Sequence, residues 1–477
     1  MSNSEKNNSS LFDVLLIRYG EIALKSQQVR KRLLRNLIRN IRFQCKRDGI
    51  KFTRLWRDHG FIYLHPEPES MDAAIETLKK VFGIHSISPS IYEQGDFQDV
   101  QRIALVLARK ILCENSTFGI RARRTGDHSF SSGDLANSIG ARIIEELGER
   151  LKLKVNLSNP DTWIHINVRD KNIFVYTESI DTPWEGNPLE PFASGGISLI
   201  SGHISEFVST MLTMRRGMHI LPIIFSENPT KDVSIHTILQ KIKEYLPIRS
   251  LYYFKLDMES ILARFKDLAE QFHYFPLQYI LYRRFRILLG EWMVNNSKSL
   301  FELLDAMHRL DWKSNIASYI SSKQQKSQNA AKRRKFIEYV AIIEGNFPFS
   351  YYSQKIPLFN RIESSRIPIF RGAIGLSQDE NWNKFQQISG DIEDHSEILY
   401  DYPEISTSKD GVTTSTGNIS HYPFNPHVRD DLPDEVIQHF EKIWIRMGNE
   451  LNQILKDLDL YGEPSIGSTK RLKLVQL

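Results

Sequence analysis

The sequence predicts a multidomain protein of mixed α/β and α+β class, and three observations support that class. Its 477 residues exceed the roughly 100 to 200 residues of an ordinary domain. Up to residue 182, short apolar runs and helical patterns follow one another irregularly, as in α+β domains, whereas residues 197–256 alternate strand and helix. A composition of 41% hydrophobic and 25% charged residues is typical of folded, globular chains. We therefore expect several domains, one of them built on a parallel sheet.

The first 182 residues are predicted to form two small α+β units. The first unit has a strand at 12–17, a basic helix at 29–45 with apolar residues at helical spacing, and two strands around the turn Asp58-His59-Gly60. It ends near Pro66 and Pro68, which interrupt regular structure. The elements of the second unit follow in the order helix 71–81, strand 85–92, helix 100–112, strand 117–123, helix 134–151 and strands 162–168 and 172–177.

A regular alternation of strand and helix follows the Pro- and Gly-rich link at 183–196. This order favours right-handed βαβ crossovers and a parallel sheet, in which ligands bind at the carboxyl ends of the strands. The loop after Ile200 is therefore the first place to look for chemistry. The predicted elements are strands 197–200, 218–225 and 251–256, helices 204–216 and 238–245, a mainly helical stretch from 257 to 345, an irregular stretch from 350 to 420, and a last helix at 433–460.

Charge is distributed unevenly along the chain, although the net charge of +5 is small. Between Arg18 and Arg57 there are thirteen Lys or Arg residues and two acids, whereas residues 379–404 hold eight acids and one base. A basic block of this kind either contacts phosphate or forms a solvated helix face, and both interpretations remain open.

The cysteines and the hydropathy exclude several classes of protein. With Cys45 and Cys113 far apart as its only cysteines, the chain has no disulfide framework, and we interpret both as small buried hydrophobic residues. No set of histidines has the spacing of a ligand template, so no metal site is predicted. No apolar run reaches the roughly 18 residues of a membrane-spanning helix, and the polar N-terminal residues do not resemble a signal peptide. We therefore expect a soluble cytoplasmic protein without a membrane partner.

The strongest site signal is the strand sequence Phe-Gly-Ile-Arg-Ala-Arg-Arg at 118–124. Strand alternation places Arg121 and Arg123 on one face, and the basic tract continues through Arg124 and His128. Guanidinium groups bind phosphate oxygens and stack on exposed bases, so this pattern favours RNA. Together with basic residues of the first unit, the candidate RNA-binding residues are Lys25, Arg30, Lys31, Arg121, Arg123, Arg124 and His128.

Several stretches of the sequence together resemble a known family. The motifs LKKVFGI at 78–84 and FGIRARRTGDHSF at 118–130, with Asn159-Pro160-Asp161, look like a THUMP domain, an RNA-binding module. The motif RYGEIALK at 18–25 resembles the ferredoxin-like domain that precedes THUMP in the tRNA 4-thiouridine synthases, or tRNA sulfurtransferases. The similarity continues through SGHISEFVSTMLTMRRGMHILPIIF at 201–225 and extends over residues 11–290.

The resemblance implies a domain order, partners and cofactors. The expected domains are a ferredoxin-like domain at 1–68, a THUMP domain at 69–182, a degenerate PP-loop pyrophosphatase-like domain at 183–345 and a C-terminal extension of unknown role at 346–477. In the family, THUMP binds the acceptor end of tRNA, and the PP-loop domain uses ATP with Mg²⁺ to adenylate a uridine oxygen before a persulfide delivers sulfur. Family members also dimerise to share one tRNA, so the resemblance implies tRNA, ATP with Mg²⁺ and a second copy of the chain as partners.

The PP-loop is where the chain departs from the family. The family's strand ends in Ser-Gly-Gly-x-Asp-Ser, whose backbone N–H groups surround the ATP phosphates at a helix N-terminus. Here the sequence is Ser201-Gly202-His203-Ile204-Ser205-Glu206. His203 adds a side chain where close backbone approach is needed, and Glu206 adds negative charge. We therefore interpret Ser201, Gly202, His203 and Ser205 as a vestigial nucleotide-binding loop. The similar Ser194-Gly195-Gly196 precedes the strand and is interpreted as a linker.

Cysteines of the sulfur chemistry are also missing. In many relatives a cysteine stands near the basic helix that matches residues 281–285, where this chain has Tyr279 and Tyr282, and we expect no counterpart of the cysteine-bearing rhodanese extension of some relatives. We assign no catalytic residue, and three hypotheses remain. The first is a tRNA-binding family member with impaired or lost ATP pyrophosphatase activity that assists a partner modification enzyme. The second is an active ATP-dependent 4-thiouridine synthase with a divergent loop. The third is a protein-interaction scaffold with secondary RNA binding.

Overall fold

The computed structural model describes residues 11–58, 60–190, 194–227, 229–271, 277–298, 338–345, 367–370 and 472–476. These residues form two compact units. Unit 1 comprises the residues up to Leu189 together with Arg215–Gly217, and unit 2 comprises the remaining residues from Glu190 onward.

Unit 1 is built on one nine-stranded sheet with the strand order β2-β3-β1-β4-β8-β7-β5-β6, in which β9 also pairs with β4. Its elements are β1 (Val14–Arg18), α1 (Gln27–Arg47), β2 (Phe52–Asp58), β3 (Phe61–Pro66), α2 (Met71–Lys79), β4 (Ser86–Gln94), α3 (Phe97–Ile111), β5 (Thr117–Thr125), α4 (Ser132–Ile143), α5 (Glu149–Leu151), β6 (Lys154–Val155), β7 (Thr162–Arg169), β8 (Asn172–Tyr176) and β9 (Ile180–Asp181).

Strand β4 joins the two halves of this sheet. It pairs antiparallel with β1 along Ser86–Ser90 and with β8 along Ile91–Gln94. Apolar side chains from α1 to α4 and from one face of the strands form a common core. The two predicted α+β units are thus continuous through backbone pairing.

Two expectations for unit 1 differ from the structure. The helix predicted at 134–151 is divided by a π-helical turn at Ile144–Gly148, although Leu147 remains buried. Cys45 is buried as expected, but Cys113 is exposed because α3 ends at Ile111 and the cysteine lies beyond it.

Unit 2 contains a six-stranded sheet with the order β14-β13-β10-β11-β12-β15. All neighbouring pairs are parallel except β12 with β15. Its elements are β10 (Gly195–Ile200), α6 (Ile204–Met214), β11 (His219–Ser226), α7 (Pro229–Tyr245), β12 (Tyr252–Asp257), α8 (Glu259–Gln271), α9 (Leu277–Asn295), β13 (Tyr339–Ile343), β14 (Ile369–Phe370) and β15 (Leu472–Gln476). The predicted parallel-sheet class is confirmed.

Corrections in unit 2 concern short apolar or glycine-rich segments. Gly195 and Gly196 are not a linker, because they begin β10 and pair with His219 and Ile220 of β11. The helical prediction up to residue 345 is wrong at its end, where Tyr339–Ile343 forms β13; periodicity does not separate so short an apolar run from a helix. The helix predicted at 433–460 lies outside the described residues.

Among the residues that the structure describes, every helix is too short or too polar to cross a membrane.

Candidate phosphate-binding loop and RNA-binding surface

The loop after β10 lies where the carboxyl ends of parallel strands meet. Because β10 is parallel to both β11 and β13, Ser201 lies at the same sheet edge as Ser226 and Glu344. Gly202 has a φ of 103°, in the left-handed region that favours glycine, and it turns the chain into α6. The turn leaves the backbone N–H groups of three consecutive residues without partners in the helix.

The carboxylate of Glu206 occupies this turn. Its Oε2 accepts hydrogen bonds from the backbone N–H groups of Ser201 at 2.7 Å, Gly202 at 3.1 Å and His203 at 3.1 Å. Its Oε1 accepts a bond from the Ser201 hydroxyl at 2.8 Å. Glu206 is in the first turn of α6, so its side chain folds back over the helix start as a capping glutamate does. The loop binds an anion, and that anion is its own side chain.

Arg286 of α9 balances this buried charge. Its Nη2 donates to Glu206 Oε1 at 2.7 Å, and its Nη1 donates to Ser201 Oγ at 3.1 Å. The two charged side chains are 1% and 3% exposed. Burial alone would raise the pKa of Glu206, but Arg286, His203 and the Ser201 N–H group outweigh burial and lower it below its ordinary value. Burial lowers the pKa of Arg286, but its combined interactions with Glu206, Tyr282 and Glu344 outweigh burial and raise the pKa above its ordinary value, so both partners are ionised.

A second buried ion pair lies at the same edge of the sheet. Arg283 Nη2 and Glu344 Oε2 are 3.9 Å apart, and both side chains are almost fully buried. Tyr282 donates its hydroxyl proton to Glu227 at 2.8 Å. Burial, and then the Glu227 charge, raise the pKa of Tyr282 well above its ordinary value, so the phenol stays protonated. The strand ends therefore hold acids and bases that neutralise one another.

Strand β5 of unit 1 presents arginines on the sheet face opposite the helices. Phe118 and Ile120 pack into the core on the helical side. Arg121 and Arg123 alternate with them and are exposed on the other face. The predicted placement of these two arginines on one face is what the structure shows.

Residues that the sequence did not single out share this face. Arg18 of β1, Trp163 and His165 of β7, and Tyr176 of β8 lie on the same side of the sheet as Arg121, as their mutual ring and guanidinium contacts show. The alternation along β7 and β8 predicts two strands but not their neighbours. Only the pairing of β7 with β5 on one side and β8 on the other reveals which side chains meet.

Comparisons with known proteins follow the same order of domains. Family models match at residues 14–88 (ThiI ferredoxin-like domain), 95–178 (THUMP domain) and 192–299 (Thiamine biosynthesis protein, ThiI). A probable tRNA sulfurtransferase of Methanobrevibacter smithii is 31% identical over 242 residues, 49% of this chain and 59% of that protein. The tRNA sulfurtransferase of Thermoplasma acidophilum is 31% identical over 253 residues, 52% of this chain and 49% of that protein.

The chain therefore carries ThiI ferredoxin-like, THUMP and ThiI domains, and over these domains it is similar to curated tRNA sulfurtransferases. It spans about half the length of these curated relatives, 59% of the first and 49% of the second. Solved structures share the fold: a 4-thiouridine synthetase–RNA complex with bound ATP has a TM-score of 0.54 and 20% identity, covering 81% of this chain and 88% of that one. A Pyrococcus horikoshii protein has a TM-score of 0.51 and 19% identity, covering 78% and 97% of the two chains.

Against the family's PP-loop pattern, the loop residues of this chain do not fit a nucleotide phosphate. A phosphate group in a PP-loop takes the backbone N–H groups that follow the strand. Here Glu206, standing where the family has serine, accepts those bonds. Ser205, standing where the family has an acid, is fully buried in the first turn of α6. The sequence predicts that Glu206 repels a phosphate, and the structure adds that its carboxylate accepts the backbone N–H groups that a phosphate would need.

The position of the Glu206 side chain could be predicted in part from the sequence. Glu206 is three residues after His203, the spacing of a capping box, which predicts a side chain folded back on the helix start. The sequence does not indicate a role for Arg286, because one arginine after the apolar Phe285 gives no sign of its partner. Its burial is decided by the packing of α9 against β10 and β13.

The remaining candidate residues of unit 1 lie in two places. Arg124 is exposed at the end of β5, and His128 beyond it donates from Nε2 to the Thr125 carbonyl at 3.2 Å. The other three follow β1, one of them just before α1 and two near its start, and three strands separate β1 from β5 in the sheet. At about 4.8 Å per strand this is about 19 Å, so the structure does not bring the two groups together. The residues of this second group are Lys25, Arg30 and Lys31.

Proposed function

We propose that this chain is a tRNA-binding protein of tRNA modification whose ATP pyrophosphatase activity is impaired or lost. The observation that carries the second part is the Glu206 carboxylate within hydrogen-bond distance of three backbone N–H groups of the phosphate loop. The first part is supported by the THUMP match over residues 95–178 and by the exposed arginines of β5.

Binding of ATP in the family's manner would require Glu206 to leave this position. The departing carboxylate would lose the backbone N–H groups, the Ser201 hydroxyl and its pairing with Arg286. Breaking a buried ion pair costs about 3–5 kcal/mol, and the triphosphate would bring further negative charge next to the acid. We therefore derive no reaction step through ATP or Mg²⁺ in this chain.

For the RNA, we propose the acceptor end of tRNA as the bound region, as in the family. The contacts would come from Arg121, Arg123 and Arg124, with His128 beside them, and a second set of phosphate contacts would come from Lys25, Arg30 and Lys31. Because the chain would bind tRNA without adenylating it, we propose a modification enzyme as one partner. A second copy of the chain is the other proposed partner.

The test is tRNA-dependent release of pyrophosphate from ATP by the purified full chain, with unfractionated tRNA and an intact sulfurtransferase as positive control. We expect tRNA to be bound, as seen by a gel shift in the same samples, with pyrophosphate release at background. Release comparable to the control would show that Glu206 does not close the loop.

An active 4-thiouridine synthase is the second candidate, and retention of the parallel-sheet domain with its match over residues 192–299 favours it. The same assay separates the two candidates. The scaffold hypothesis concerns residues 346–477, most of which lie outside the described residues.

A further inference from the structure

One side of the β5 backbone has no strand partner beyond the first residues of the strand. It pairs with β7 along residues 118–125, but with β6 only at Thr117 and Phe118. Among the residues that the structure describes, no strand pairs with the β6 side of β5 at residues 120–124. An unpaired edge of this kind presents a row of N–H and C=O groups to which another polypeptide can add a strand.

The backbone groups of β5 alternate between its two neighbours. The carbonyl of Phe118 accepts a hydrogen bond from the backbone N–H group of Asn156, just after β6, at 2.9 Å. The carbonyl of Thr125 accepts one from the backbone N–H group of Asp170, just after β7, at 2.9 Å. Even-numbered residues of β5 therefore direct their backbone groups to the β6 side, and odd-numbered residues direct them to β7. The residues whose backbone groups lie along the unpaired edge are Ile120, Ala122 and Arg124.

The side chains of β5 alternate as well, and they determine which strand would fit the edge. Ile120 and Ala122 are half-buried and pack against the core on the helical side. Arg121 and Arg123 are exposed on the opposite face. Side chains directly opposite each other on paired strands share a face and interact. A complementary strand therefore alternates apolar residues, beside Ile120 and Ala122, with acidic residues, beside the two arginines.

Two exposed apolar side chains lie where the unpaired edge begins. Val155 of β6 is 51% exposed, and Leu157, in the turn that follows, is 72% exposed. The Asn156 side chain holds this turn, because its Oδ1 accepts hydrogen bonds from the backbone N–H groups of Ser158 and Asn159, both at 3.0 Å. A strand added along β5 can cover these apolar side chains, and their removal from water favours binding.

We propose that the β6 side of β5 binds an extended segment of a partner protein in which apolar and acidic residues alternate. The added strand pairs with the backbone groups of residues 120–124, places its acids beside Arg121 and Arg123, and covers Val155 and Leu157. This inference does not depend on tRNA binding, and it gives the partner protein proposed above a surface and a chemistry.

The chemistry of the edge favours a polypeptide over RNA and over a second copy of the same edge. A strand edge offers N–H and C=O groups in alternation, which another strand matches, whereas phosphate groups are acceptors only. The exposed Val155 and Leu157 also fit an apolar side chain better than a phosphate. Two copies paired through this edge would bring their arginines together, and like charges opposite each other destabilise a strand pair.

The experiment selects peptides from a random phage-displayed library on the immobilised full chain and measures the affinity of the enriched peptides by fluorescence anisotropy. The variants are Val155→Asn and Leu157→Asn, which remove apolar surface, and Ala122→Pro, which removes one N–H group of the edge and leaves the pairing with β7. Val106→Asn is the matched control, because Val106 is a valine of α3 that is 39% exposed. Thermal unfolding checks that each variant is folded, and the two exposed positions keep the test informative if Ala122→Pro does not fold.

We expect the enriched peptides to alternate apolar and acidic residues, and Val155→Asn and Ala122→Pro each to weaken their binding about tenfold. Val106→Asn should leave binding unchanged. Absence of enriched peptides would overturn the inference, and so would peptides that bind Val155→Asn, Leu157→Asn and Ala122→Pro as tightly as wild type. A dimer of the chain alone that dissociates in Ala122→Pro would also overturn it, since that result assigns the edge to a second copy.

The inference and the proposed function fail in different ways, and a gel shift with tRNA on the same variants separates them. If wild type binds tRNA but enriches no peptide, the proposed tRNA binding stands and the inference is wrong. If peptides bind the edge but tRNA is not bound, the inference stands and the proposed function is wrong. If Val155→Asn and Ala122→Pro weaken tRNA binding as much as peptide binding, the edge is an RNA surface and the inference is wrong.

Discussion

On the sheet face of unit 1 opposite the helices, Arg121 is exposed and lies over the Trp163 ring, whereas in unit 2 Arg286 is buried and donates to Glu206 at 2.7 Å. The Arg121 guanidinium is accessible to a phosphate. The Arg286 guanidinium is paired with an internal carboxylate, which also accepts hydrogen bonds from the backbone N–H groups of the loop. The difference shows that an anion can bind only where the basic groups are not already paired with acidic side chains of the protein, whatever the number of basic residues.

The largest expected effect concerns the buried pair of Arg286 and Glu206 in unit 2. Replacing Arg286→Met should destabilise unit 2 by about 3–5 kcal/mol, because Glu206 is left as an uncompensated buried charge. Urea unfolding measures the change. The control is Lys266→Gln, since Lys266 forms an exposed pair with Glu270 and should contribute less than about 1 kcal/mol. Equal midpoints for the two variants would show that the buried pair does not form.

The exposed arginines of β5 are tested by replacing two of them together. The double variant Arg121→Gln with Arg123→Gln should weaken tRNA binding about a hundredfold at low salt and reduce the slope of log K against log salt by about 2, since each phosphate contact contributes about one unit. Filter binding over a range of salt concentrations gives both quantities. An unchanged slope would mean that neither arginine contacts phosphate.

Removing the Glu206 carboxylate should free the backbone N–H groups of the loop to bind an external anion. In Glu206→Ser, the family's serine returns and Arg286 loses its partner, so the loop is free to bind inorganic phosphate. We expect phosphate to raise the Tm of this variant by several degrees through binding to the folded state, and to leave wild type nearly unchanged. A Tm of wild type that rises equally with phosphate would contradict closure by Glu206.

The smallest effect concerns acid pH. The folded-state pKa of His165 is about 4, below the ordinary 6.5, so protonation favours the unfolded chain. The stability of unit 1 should therefore fall as the pH decreases from 6.5 to about 4, and His165→Gln should reduce that dependence. Urea midpoints measured across this range check the sign. A wild type whose midpoint rises on acidification in this range, with His165→Gln flat, would contradict a neutral His165.

Strand and helix positions in both units could be read from periodicity, and alternation alone predicted that Arg121 and Arg123 share one face of β5. The two glycines at the start of β10 were taken for a linker, because glycine is ambiguous until its strand partners are known. Cys113 was expected to be buried, but its exposure depends on where α3 ends. Such errors arise where a local pattern has two solutions and a distant segment selects one.

The sequence by itself determined the similarity to the tRNA sulfurtransferases, the order of the matched domains and the substitutions in the loop after β10, since each is contained in contiguous motifs. The tertiary structure decided what those substitutions do. Glu206 and Arg286 are eighty residues apart, and only the packing of α9 against β10 places a guanidinium on that carboxylate. The alignment of Arg121, His165 and Tyr176 likewise depends on β5, β7 and β8 being adjacent in one register, because side chains from separate strands meet only through the sheet.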